Sequence, residues 1–107
     1  MRDVKLNITN DEIVVLEVYM QKIKAFNPKQ TLQKVAISIG YQVLDKLEQK
    51  VRNKMRDNNN KSKVLTLKYH DAWSVEFVLR ALLPHIHNPY HRVVVQKITD
   101  FLNQKLA

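Results

Sequence analysis

Cysteine is absent from this chain, glycine occurs once and proline three times in 107 residues. Without cysteine there are no disulfides, no thiolate nucleophile and no cysteine zinc site. A single glycine excludes a glycine-rich phosphate loop and a dinucleotide fingerprint, both of which need several glycines for tight turns and close backbone approach. Aromatic residues are few, at 7%, and they fall on apolar helical faces instead of among lysines, so base stacking is poorly supported. No apolar run is long enough to span a membrane. The polar start MRDVKLNITNDE lacks the apolar stretch of a secretion signal. The expected protein is cytoplasmic, with no membrane partner. Its acidic residues sit at helix starts or beside basic ones, as Glu48 does four positions before Arg52, which is ordinary surface pairing. No general acid and base pair stands out, so no enzyme activity and no cofactor are expected.

What the sequence does contain is a pattern written twice. Residues 6–23 lie over residues 65–82 without a gap, pairing Leu6 with Leu65, Ile8 with Leu67, Leu16 with Val75, Glu17 with Glu76, Met20 with Leu79 and Ile23 with Leu82. Each copy then reaches an Asn-Pro step, at Asn27-Pro28 and Asn88-Pro89. The expected fold is mainly α: four helices as two repeated hairpins, each preceded by a short extended segment. The chain is short enough that both copies must share one core. A single domain over 1–107 is therefore expected, with repeats at about 5–57 and 64–106 and a polar loop at 58–63 between them. Lys5-Leu6-Asn7-Ile8 and Val64-Leu65-Thr66-Leu67 alternate as strands do, and their matching places suggest a two-stranded ribbon about a pseudo-twofold axis, supported by helices beneath it.

Thr9-Asn10-Asp11-Glu12 is a capping box, which places the first helix start at Thr9. Ile13, Leu16, Tyr19, Met20, Ile23 and Phe26 then share one face at helical spacing. Val14 and Val18 form a second patch, as Trp73 and Phe77 do in the other copy. A second helix is expected over Gln30 to Asp57, apolar almost all round up to Leu44 and amphipathic beyond, with Leu47, Val51 and Met55 inward. Gly40 lies mid-helix, either tolerated at about 1 kcal/mol or marking a close helix crossing under Trp73. The third and fourth helices are expected over His70–Leu83 and Tyr90–Leu106.

Eighteen Lys and Arg against ten Asp and Glu give a net charge of +8, a balance that favours polyanions or acidic protein surfaces. Between Asp45 and Lys68, eight basic residues face three acidic ones, so over half the excess lies at the junction of the repeats. Lys46, Lys50, Arg52, Lys54, Arg56, Lys61 and Lys63 are the candidate phosphate contacts, since such side chains neutralise backbone charge without reading bases. His85, His87 and His91 form a weaker metal candidate: imidazole is a common ligand, but Pro89 breaks the register that would align His87 with His91. Two functional readings follow. One is a small basic helical protein that contacts nucleic-acid phosphates non-specifically. The other is an adaptor that self-associates as a homodimer through Val14, Val18, Trp73 and Phe77, without nucleic acid.

Overall fold

A computed structural model describes residues 3–54 and 62–107. The chain is mainly helical, in the order β1 (Val4–Ile8), α1 (Asn10–Met20), α2 (Thr31–Lys54), β2 (Lys63–Leu67), α3 (Tyr69–Leu82) and α4 (Pro89–Leu106). A short 3-10 segment follows α1 at Gln21–Ala25, and another follows α3 at Leu83–His85.

Strands β1 and β2 pair antiparallel, with Val4 opposite Leu67, Leu6 opposite Leu65 and Ile8 opposite Lys63. The alternation that makes them strands also gives the ribbon two unlike faces. Val4, Leu6, Ile8, Leu65 and Leu67 point down and are buried, each stabilising the fold by about 1.5–3 kcal/mol. Lys5, Asn7, Val64 and Thr66 point outward and are exposed. The register is centred on Leu6 and Leu65, the two residues that the sequence alignment makes equivalent.

Thr9 caps α1 as its capping box implies: its Oγ1 accepts from the Glu12 amide at 3.2 Å, and Glu12 Oε1 accepts from the Thr9 amide at 2.9 Å. At the start of α2, Gln33 Oε1 accepts from the amides of Lys29 and Gln30. Helix α4 begins at Pro89, one residue before the expected start, because proline suits the first helical position and Asn88 supplies the cap. Pro84 falls in the 3-10 segment, so α3 ends at Leu82. The expected last turn of the second helix, residues 55–57, lies outside the described residues, and with it Met55.

Two expectations are corrected. The first half of α2 is not enclosed by its neighbours: Leu32, Val35 and Tyr41 are exposed, and only Ala36, Ile37, Val43, Leu44 and Leu47 among its apolar side chains are buried. Its near-continuous hydrophobicity therefore exceeds what its packing uses. Gly40 does mark a close crossing, but the residue above it is Ser74, whose Oγ donates to Ala36 O at 2.6 Å. A Cβ at position 40 would lie 3.3 Å from Ser74 Oγ and 3.3 Å from Ile23 Cδ1.

The Asn-Pro steps are also not structurally equivalent. Asn88 is a helix cap, whereas Asn27-Pro28 lies in the connection three residues ahead of α2. Burial aligns the helices differently: Val43, Leu44 and Leu47 are buried in α2 at the spacing of Val94, Val95 and Ile98 in α4. In that alignment Lys46 matches Lys97, and each lysine holds an acidic residue in the first turn of the other half. Lys97 bridges to Glu12 at 2.9 Å and Lys46 to Asp71 at 3.1 Å. Helix α2 consequently starts about two turns further upstream than α4 does.

Candidate nucleic-acid interface

Of the seven basic residues singled out from sequence, Lys50 and Arg52 are exposed on α2 and Lys63 is exposed at the start of β2. Lys54 ends α2, while Arg56 and Lys61 lie outside the described residues. Lys46 has a structural task. Its side chain is half exposed, but its ammonium group sits on the carboxylate of Asp71, which is only 2% exposed and also lies 3.3 Å from His70 Nε2. The spacing of Lys46 and Lys50 therefore joins a cation that holds α2 to α3 with one that faces solvent.

Sequence reasoning missed the outer face of the ribbon as a candidate surface. Lys5 stands opposite Thr66, and Asn7 opposite Val64, on the outward face of the ribbon. Among the described residues, the side chains of Lys5, Asn7 and Thr66 make no hydrogen bond or ion pair, so their donors and acceptors face outward unused. Lys63 and Lys68 bracket β2 at its two ends. The signal was present in the sequence as Lys5 and Asn7 alternating with Leu6 and Ile8. Strand alternation says which residues share a face, but only tertiary packing says which face is covered.

The proposed apolar patches have unequal environments. Trp73 and Phe77 are half-buried, with ring centroids 5.7 Å apart. Phe77 lines a groove of about 220 Å³ with Phe26, Pro28, Gln33 and Ile37. Two of those residues, Gln33 and Ile37, come from the extra turns of α2. Helix α4 lacks such turns, and Val18, the counterpart of Phe77, is 41% exposed; Val14 is half-buried.

His85 and His87 are exposed, and His91 is half-buried with Nδ1 2.9 Å from the Tyr19 hydroxyl. Among the described residues no three His, Cys, Asp or Glu side chains converge on a metal-sized site. The histidines thus do not form the sequence-suggested cluster: His91 turns to α1, a consequence of Pro89 starting α4 between it and His87. A cavity of about 570 Å³ is lined by Asp3, Lys5, Tyr69 and Lys105 among others.

One acidic group lies apart from the basic surface. Glu76 is 4% exposed, and its Oε1 accepts no hydrogen bond although Arg80 Nε is 3.4 Å away. In the other half the matched Glu17 accepts from Gln21, which also donates to Glu48 at 3.2 Å. Both pairs fill the same place on the first helix of their half.

No helix among the described residues is long and apolar enough to cross a membrane. No protein-family model, curated protein or solved structure matches the chain.

Proposed function

We propose that this chain binds duplex DNA, with the outer face of the β1–β2 ribbon in the major groove and the lysines around it on the flanking phosphates. The observation that carries this reading is the ribbon itself: one apolar face seated on helices and one outward face bearing Lys5, Asn7 and Thr66. A B-form major groove about 12 Å wide admits a two-stranded ribbon, and five-residue strands of about 17 Å are long enough to follow it over several base pairs. Lysine, asparagine and threonine are also side chains with the donors and acceptors needed to contact base edges. The net charge of +8 favours association with a polyanion, and Lys50, Arg52, Lys63 and Lys68 supply candidate phosphate contacts. Duplex RNA is a poorer fit, because its major groove is too deep and narrow for side chains to read. The two halves, with the same order of strand, helix and helix, support an internal duplication that builds the ribbon from one strand of each copy.

The test is a titration of the full chain with duplex DNA, single-stranded DNA and duplex RNA at two salt concentrations. Tight binding to duplex DNA with steep salt dependence is expected, weakened by K5A and N7A. Absence of duplex binding at low salt, or equal binding to all three nucleic acids, would overturn the reading.

Self-association is a second reading, favoured by the exposure of Val18 on α1 and of Tyr90 and Val93 on α4. Solution mass measurement tests it. A homodimer lost on V18E supports it, whereas a monomer at high micromolar concentration rejects it.

A further inference from the structure

We infer that the duplex this ribbon recognises is non-palindromic, because the two strands present different chemistry at positions related by the pseudo-twofold. The inference rests on the reading of the ribbon as a major-groove element. The register sets Leu6 directly opposite Leu65, so the axis relating the strands passes between them. One step to either side, that axis carries Lys5 onto Val64 and Asn7 onto Thr66. A ribbon made by two identical chains would present the same side chain at both members of each related pair, and its target would repeat in inverted orientation. Here neither pair matches.

The differences are chemical as well as steric. Lys5 carries only donors, which suit the O6 and N7 acceptors of guanine; Asn7 offers a donor and an acceptor, the pairing that adenine presents. Val64, 54% exposed, has neither, and its methyl groups fit against the thymine methyl. Thr66 combines a hydroxyl with a methyl and can meet several base edges. Residues two apart on a strand are about 7 Å apart, roughly two steps of a duplex rising 3.4 Å per base. The β1 half therefore prefers a purine pair of guanine and adenine, and the β2 half prefers a position rich in thymine. The inward residues around the axis, Leu6 and Leu65, are alike and buried, so the asymmetry is confined to the face turned outward.

The experiment is selection from a random duplex library with the full chain, followed by competition binding of the enriched sequence and its half-swapped versions. The expected motif has two unlike halves, and replacing either half with the inverted copy of the other lowers affinity about tenfold or more, the scale of discrimination at a base pair. The variant V64K/T66N makes the outer faces alike and should shift the selected motif to an inverted repeat of the β1 half. The reciprocal variant K5V/N7T should give an inverted repeat of the β2 half. All four positions are exposed, and circular dichroism checks that each variant is folded. A palindromic motif from the unaltered chain, duplex binding with no enriched motif, or folded variants that leave the motif unchanged would overturn the inference while leaving duplex binding intact. Failure to bind any duplex would remove the reading on which it rests and the inference with it.

Discussion

Lys97 Nζ lies 2.9 Å from Glu12 Oε2, joining α4 to the first turn of α1 across 85 positions of sequence. Glu12 is at once a helix cap, through Thr9, and half of this ion pair. Burial alone pushes its pKa upward, but the Thr9 amide and the Lys97 ammonium outweigh that effect and hold it below its ordinary value of 4.5. A carboxylate with a lowered native pKa favours the fold while it is ionised. Its contribution is present above pH 4.5 and disappears as pH falls through the lowered value. Urea denaturation across an acid series should show this loss in the native chain. E12Q should be less stable at pH 7 and show a shallower decline below about pH 4.5. Parallel acid profiles for the two proteins would reject the linkage.

The two first-in-half helices differ in their caps, and this predicts substitutions of opposite sign. Thr9 accepts a hydrogen bond from Glu12, whereas Lys68 makes no side-chain cap at the start of α3. T9A is expected to cost about 1 kcal/mol, and K68T to stabilise by a few tenths to about 1 kcal/mol. Chemical denaturation of both variants measures this. The same K68T change should weaken duplex binding if Lys68 meets a phosphate, separating stability from affinity at one position.

Gly40 faces Ile23 and Ser74 at a helix crossing with no space for a branched side chain. G40L is expected to lower stability by about 1–3 kcal/mol through overpacking, despite the better helix propensity of leucine. Thermal and urea unfolding provide the readout. A leucine accommodated at no cost would show that the crossing can open freely.

Glu76 is buried with Arg80 as its nearest cation. Removing that cation leaves a buried carboxylate without its ion-pair partner, and because the Arg80 side chain is largely exposed, R80A is expected to destabilise by up to about 1 kcal/mol. In an E76Q background the same change should cost less than half as much, because no buried charge remains. A double-mutant cycle measures the difference. Equal costs in both backgrounds would assign the effect of Arg80 to the packing of its alkyl stem.

The sequence by itself determined the local structure. Alternation in Lys5-Leu6-Asn7-Ile8 marks a strand, the Thr9/Glu12 box places a helix start within a residue, and the matched apolar positions of residues 6–23 and 65–82 each mark a strand followed by a helix. These signals are legible because they depend on neighbours in the chain, through backbone geometry and side-chain period. Tertiary structure decided which faces are used. Leu32 and Val35 look like core residues until α2 is seen to extend two turns beyond its counterpart, leaving them exposed. Lys46 looks like a solvent-facing cation until the first turn of α3 brings Asp71 against it. Burial and charge pairing are relations between residues far apart in sequence, so periodicity cannot specify them. The outward strip of Lys5, Asn7, Val64 and Thr66 shows the same division: each strand reveals its own alternation, but only their pairing over the helices makes one face a core and the other a surface.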